Sequence, residues 1–336
     1  RRQSDSAYAQ TSTLVDFTRR MERAFGSTNT PGSLIGRVTA FENALLTAAS
    51  GPDSAQQLEA VAETAGAVVP TLHELTRPVQ QEREGAETTI RKGVSRINDA
   101  MSRLEAINDS VKAADATGAD VTSLLDERQR LLDGVSDLVP LRVVERDRGE
   151  IAVFTRGGAA LLDGPAATLG FARQPLITAT DTVGGSLSRL SMNGVDLGPT
   201  QDPLFAGGTL AAAFEIRDGA AVHRQDQLDG IARDLIVRLE GGNDGTIAPG
   251  RAGLFVDTGG AIAVAGPPDQ YEAFDPANGT RGLAAAGRIA LNDFVRPGDG
   301  SSVALRDGLY SAVNPLATPL DVGDATVLNG MLSQMT

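Results

Sequence analysis

The chain has 336 residues, 41% of them hydrophobic, which is apolar material for about two domains of ordinary size rather than a disordered tail. Its 30 basic residues against 43 acidic ones leave a net charge of −13, a field that repels the phosphates of nucleic acid and of an anionic membrane surface. With no cysteine, no tryptophan and two histidines far apart in sequence, a disulfide framework is excluded and a zinc or haem site has almost no ligands, so no metal and no cofactor is expected.

The start, Arg1-Arg2-Gln3-Ser4-Asp5, has no apolar signal-peptide core. No apolar run in the chain is long enough for a transmembrane helix. Leu14, Phe17, Met21 and Phe25 recur at spacings of three and four and predict a first helix, stopped by Gly26 and by Asn29-Thr30-Pro31-Gly32. A second helix is expected from Ser33 to Ser50, with Leu34, Val38, Phe41 and Leu45 as its apolar stripe. Gly51-Pro52-Asp53-Ser54 then breaks the chain and offers Asp53 or Ser54 as the next N-cap.

Leu58, Val61, Ala65, Val68, Leu72, Leu75 and Val79 alternate spacings of three and four, the period of a coiled-coil seam. Pro70 and Pro78 predict a kink or local break in this helix, because each removes a backbone donor. The period resumes at Ile90, Val94, Ile97, Met101 and Leu104, passes Asn108 and returns at Val111, displaced by one residue from the first block. Something between Val79 and Ile90 shifts the seam. An intramolecular helical bundle is the first reading of this pattern and an intermolecular coiled coil the second. Asn108 either sets register at a core position or faces solvent near the helix end.

Gly118 closes that helix, and Asp120 to Asp137 predicts another with Leu124, Leu125, Leu131, Leu132, Val135 and Leu138 as its buried stripe. Asp126, Glu127, Arg128 and Arg130 between those leucines read as solvated charges or surface pairs. After Pro140 the texture changes. Leu141 to Arg146 and Ile151 to Thr155, separated by Asp147-Arg148-Gly149-Glu150, have the signature of a hairpin. Further short apolar runs bounded by glycine pairs continue to about Leu204.

Helical pattern returns between Thr209 and Leu239, where Leu228, Ile231, Leu235 and Leu239 again give spacings of three and four. A helical rod that pauses for a β-module and then resumes suggests an insertion, with the returning helix antiparallel beside the Leu58 to Val111 helix. From Gly241 to Gly300 the chain is glycine-rich, with Pro249, Pro267 and Pro268 as breakers and short strands expected at Gly253 to Val256 and Ile262 to Val264. Val327, Met331 and Met335 give a modest helical pattern at the end.

The expected organisation is therefore α+β: an elongated multi-helix rod, a coiled-coil-like bundle, with an inserted β-rich domain. Residues 1–139 form the first part of the rod, 140–205 the insert, 206–240 the return helix, and 241–336 a mixed glycine-rich segment with short strands and a returning helix. No reactive constellation emerges. Gly241 to Gly245 lacks the lysine of a phosphate loop, His73 and His223 sit on helical segments without a nucleophile in view, and paired carboxylates among 43 acidic residues carry no signal without geometry.

Three stretches resemble the flagellar hook-associated protein 1 family, the first of two junction proteins between hook and filament. The first runs from Gly118-Ala119-Asp120 through Leu124-Leu125-Asp126-Glu127-Arg128 to Leu131-Leu132-Asp133, and is followed by Gly157-Gly158-Ala159-Ala160-Leu161-Leu162-Asp163-Gly164. The second is Gly207-Gly208-Thr209-Leu210 with Glu215-Ile216-Arg217-Asp218 and Gln225 to Asp229. The third is Gly287 to Asn292 with Leu305-Arg306-Asp307-Gly308. The resemblance implies a structural, non-enzymatic adaptor, secreted through the flagellar export apparatus to the extracellular flagellum. Its implied partners are the hook protein, the second junction protein and copies of itself in a ring. The chain is expected to be a central fragment lacking both terminal regions, with an export chaperone binding at the missing C-terminal region. The alternative from another class is a secreted adhesin or binding module on a helical stalk.

Overall fold

The computed structural model describes residues 2–26, 30, 32–241, 245–247, 249–264, 269–275, 284–313 and 320–335. Asn29 and Pro31 of the expected first stop, Gly242 to Asp244 of the expected turn, and Pro267 and Pro268 lie outside them. The chain is α+β, with one very long helix and a β-containing insert between helices.

Four helices come first: α1 (Arg2–Phe25), α2 (Leu34–Ser50), α3 (Ala55–Thr117) and α4 (Thr122–Ser136). The insert follows, with β1 (Leu141–Glu145), β2 (Ile151–Thr155), β3 (Ala160–Leu162), β4 (Leu169–Gly170), β5 (Ser191–Met192) and β6 (Val195–Asp196). Helix returns as the short α5 (Gln201–Leu204), then α6 (Gly208–Glu215), a π-helical turn over Ile216–Ala220, and α7 (Ala221–Arg238). Strands β7 (Phe255–Asp257), β8 (Ile262–Val264), β9 (Gln270–Tyr271) and β10 (Ile289–Leu291) precede helices α8 (Ala304–Asp307) and α9 (Thr326–Met335).

The chain divides into two compact units, each assembled from separated stretches: residues 1–21 with 80–222, and residues 22–79 with 223–336. The β-rich stretch 140–205 belongs wholly to the first. In that unit β1 and β2 pair antiparallel from Leu141↔Thr155 to Glu145↔Ile151, as the hairpin pattern predicts, and β3 adds to the far side of β2. A second small sheet has the order β4-β5-β6. Its β5–β6 turn is Asn193-Gly194, both at positive φ (52° and 81°), the backbone that Asn-Gly pairs favour in two-residue hairpins.

In the second unit, Ser33 caps α2 by accepting the Gly36 N–H at 3.1 Å, and Phe41, Leu45 and Ala48 are fully buried at i, i+4 and i+7. Helix α2 packs on α9, and Phe41 meets Phe255 of β7 edge-on at 6.0 Å. Strand β7 pairs antiparallel with β10. His73 of α3 is half-buried and its Nε2 lies 2.9 Å from the Ile289 carbonyl of β10, so it is a packing residue rather than a surface one.

Helix α3 runs 63 residues without a break, so of the kink or local break expected at Pro70 and Pro78 the break does not occur. Each proline removes only one N–H. Pro70 is exposed, so water can serve the carbonyl it leaves without a donor, while Val68, Leu72 and Val79 stay fully buried around it. At the C-terminal end Gly118 takes φ 68° and the Ala119 N–H returns to the Ala114 carbonyl at 3.1 Å, the helix stop that glycine permits. In α4 the expected buried stripe is narrower: Leu132 and Val135 are buried, as is Leu138 just beyond, but Leu124 and Leu131 are half-buried and Leu125 is 37% exposed.

Candidate functional site

The seam of α3 shows where its register shift comes from. Leu58, Val61, Val68 and Leu72 are buried before the shift, and Ile90, Val94, Ile97, Met101 and Leu104 after it. Leu75 is half-buried. Between the blocks the buried positions are Arg83, Ala86 and Glu87, at 1%, 6% and 0% exposure. The apolar pattern slips because two charged residues occupy the interior there.

Their partner is Arg217, with a fully buried side chain. It sits in the π turn after α6, whose extra residue lets the consecutive Ile216 and Arg217 both face inward. Arg217 Nη1 donates to Glu87 Oε2 at 2.7 Å, and its Nε and Nη2 grip the two carboxylate oxygens of Asp218 at 2.6 and 2.9 Å. Nη2 also donates to the Ser188 carbonyl at 2.9 Å. The guanidinium lies 5.0 Å from the ring centre of Phe214 and 5.6 Å from that of Phe171.

Arg83 is different. Its donors go to backbone carbonyls: Arg217 at 3.0 Å, Thr178 at 2.7 Å and Asp181 at 2.7 Å, with Gln80 Oε1 at 3.3 Å. Burial, the largest influence on both arginines, draws the pKa of Arg83 below its ordinary value. For Arg217 the same burial is outweighed by Asp218 and Glu87, and its pKa is raised. Glu87 spends its other oxygen on the Gln174 N–H at 2.7 Å. Two buried cations, Glu87 and the adjacent Asp218 thus balance in charge, and they hold loop 171–190 by its backbone.

Two asparagines continue the same arrangement along α3. Asn98 donates to the Leu169 carbonyl and accepts the Leu169 N–H, both at 2.8 Å. Asn108, 5% exposed, does the same to Ile151 at 2.8 and 3.1 Å. Each amide offers a donor and an acceptor as a neighbouring strand would, to Leu169 at the edge strand β4 and to Ile151 at the first position of the central strand β2. Of the two readings of Asn108, core position or solvent, the structure takes the first. Farther along, Arg83 and Glu87 facing Arg217, and Gly93 facing Leu210, run in opposite directions, so α3 and the α6–π segment are antiparallel in this unit.

Two of the family-motif residues, Arg128 and Asp163, reach the β1–β2 hairpin. Arg128 of α4 donates to the Gly149 carbonyl at 2.9 Å, so it is a strut rather than a free surface charge. Asp163 pairs with Arg146 at 2.9 Å, next to the fully buried Leu162. Gly158 and Gly164 take φ 98° and 76°, where a side chain would be strained. Asp126 is exposed and Glu127 pairs with Arg130 at 2.8 Å. On α7, Leu228 and Leu235 are buried at 5%, whereas Ile231 is 40% exposed.

Arg83, Glu87 and Asn98 were not singled out by the sequence pattern. For Arg83 and Glu87 the signal is negative, charged residues standing where the seam should continue, whereas Asn98, beside Ile97 in an unbroken stretch of seam, carries none. Among the described residues no group of three or more histidine or acidic side chains could hold a metal ion, and no helix is long and apolar enough to cross a membrane. The site has rigid, satisfied polar contacts and no nucleophile with a base in reach. Its chemistry is that of a clamp.

A family model described as the flagellar hook-associated protein FlgK helical domain matches residues 18–241. No curated protein matches the chain. Among solved structures, the flagellar hook junction protein FlgK from Burkholderia pseudomallei is similar in fold, with a TM-score of 0.61 at 22% identity. The match covers 79% of this chain and 48% of that one, so the chain spans about half the length of the solved protein it matches.

Proposed function

Because the chain belongs to the FlgK helical-domain family of flagellar hook-associated proteins, we propose that it is a structural component of the bacterial flagellum at the junction of hook and filament. The observation that carries this reading is the family match over residues 18–241, which spans the long helix, the clamped insert and the return helix. The clamp suits a mechanical role. A β-module held to a long helix by backbone-directed polar side chains transmits force without needing a mobile site, and no substrate turnover is required of it.

The partners of this reading are the hook protein, the second junction protein and further copies in a ring, outside the cell after passage through the flagellar export apparatus. The adhesin alternative has no specific observation in its favour. Electron microscopy of cells lacking the gene is the test. Hooks that end without filaments are expected, and cells with normal filaments would overturn the proposal.

A further inference from the structure

We propose that Asn193 is a self-modifying site, at which the backbone nitrogen of Gly194 displaces the side-chain amide and converts residue 193 to aspartate and isoaspartate. The inference stands on the β5–β6 turn alone and is independent of the flagellar reading.

The turn supplies an exposed site, an uncommitted nucleophile, a polarised amide and an unheld leaving group. Asn193 and Gly194 are both exposed, and space around the Gly194 Cα is open, with nothing within 4 Å of where a Cβ would stand. The Gly194 N–H lies outside the Met192↔Val195 pair and donates to no described backbone acceptor, so the nucleophile is not committed elsewhere. The Thr168 N–H donates to Asn193 Oδ1 at 2.8 Å, polarising the amide that would be attacked. Asn193 Nδ2 makes no described hydrogen bond, which leaves the departing group unheld.

The step balances with water alone. Gly194 N gives its proton to solvent base and forms a bond to Asn193 Cγ, and the electron pair moves onto Oδ1, where the Thr168 N–H already points as an oxyanion donor. Collapse of that intermediate expels Nδ2, protonated, as ammonia and leaves a five-membered imide. Water then opens the imide at either carbonyl, giving aspartate from one and isoaspartate from the other. No oxidant or cofactor takes part.

The other asparagines described in full lack this combination. Asn98, Asn108 and Asn292 have their Nδ2 groups bound to carbonyls and are each followed by aspartate. Asn329 precedes a glycine too, but Gly330 is buried within α9, where the helical ladder occupies its N–H. Asn278-Gly279 lies outside the described residues.

Isoaspartate carries the main chain through the former side chain and so lengthens the turn by one carbon. Asn193 holds Thr168 by both backbone groups, its N–H donating to the Thr168 carbonyl at 2.8 Å and its Oδ1 accepting the Thr168 N–H. A lengthened turn cannot keep both, so the start of β4, beside the Leu169 clamped by Asn98, is released. The aspartate product keeps the acceptor and spares the strand.

The experiment is incubation of the folded protein at mildly alkaline pH, followed by peptide mapping with enzymatic methylation of isoaspartate. Conversion at residue 193 several-fold ahead of residue 329 is expected, with amide exchange at Thr168 and Leu169 rising in step with the isoaspartate fraction. An Asn193→Asp variant, whose ionised carboxylate is a far poorer target for the Gly194 nitrogen than the amide, should accumulate isoaspartate, and lose protection at Thr168 and Leu169, several-fold more slowly. Asn193 remaining amidated while Asn329 converts, or conversion at both at equal rate, would overturn the proposal, as would isoaspartate at 193 with exchange at Thr168 unaltered.

Discussion

Arg217 carries a full charge where water does not reach, and the charge is tolerable only because every partner is in place. Replacing Glu87 by alanine leaves Arg217 with Asp218 alone, and the loss is expected to be about 3 kcal/mol, the low end for breaking a buried pair. The replacement of both members, Glu87→Leu with Arg217→Met, should restore part of that loss in urea denaturation, since neither member of the pair then remains stranded and Asp218, 23% exposed, is left to solvent. The asparagine clamps behave differently, because they are neutral. Asn98→Ala or Asn108→Ala strands one N–H and one carbonyl each, at a cost of about 1–3 kcal/mol, and hydrogen exchange should rise at Leu169 for the first and at Ile151 for the second. Asp229 gives a pH dependence. It is 1% exposed, burial is the largest influence on it, and its pKa is raised despite the N–H groups of Ala286, Gln225 and Ala284 that it accepts. Folding therefore favours its protonated form. The associated stability is fully present below its ordinary pKa of 3.8 and is lost as pH rises through the folded value. Asp229→Asn should remove that slope from a plot of stability against pH.

At the scale of the element, α3 shows how a regular period can survive two prolines and yield to two charges. The prolines cost local hydrogen bonds but leave the buried face unchanged, whereas Arg83 and Glu87 change what the face must meet. Pro70→Ala is the clean test, because Pro70 is exposed and packs nothing away. The substitution should stabilise the protein by up to about 3 kcal/mol, the difference between proline and alanine inside a helix, less the entropy returned to the unfolded chain. The hairpin turn is a second case. Arg148 has φ 58° and the adjacent Gly149 has φ 77°, and a Cβ on Gly149 would stand 2.9 Å from Val111 Cγ1. The Arg128 donor reaches this turn from α4, so the turn, the long helix and the first motif stretch share one geometry.

At the scale of the molecule, each unit has its own core and its own reporter. Tyr310 is 3% exposed, donates to the Ala252 carbonyl at 2.7 Å and belongs to the second unit, while Glu87, Arg217 and the asparagine clamps belong to the first. With no tryptophan in the chain, tyrosine fluorescence comes from Tyr271 and Tyr310 of the second unit and from Tyr8 of the first, and a Tyr8→Phe background makes it a reporter of the second unit. Glu87→Ala should lower the urea midpoint for exchange at Ile151 while the Tyr310 transition moves less, as expected of units that open separately. Equal shifts in both would show the two to be a single cooperative structure.

By itself the sequence determined the main helices, the β1–β2 hairpin and the β-containing insertion between helices, because each rests on local period, turn chemistry or capping. It also marked the place between Val79 and Ile90 where the seam fails. What occupies that place was decided only by the tertiary structure. Arg217 lies far along the chain from Glu87, and no local rule couples a π turn to a slipped heptad. The same holds for Asn98, whose partner strand of two residues is too short to announce itself, for Asn108, whose partner strand was legible but not its pairing with α3, and for Leu75 and Ile231, where identical spacing yields less burial than at Leu72 and Leu235. Periodicity says which residues share a face. What covers the face depends on segments that meet only after folding.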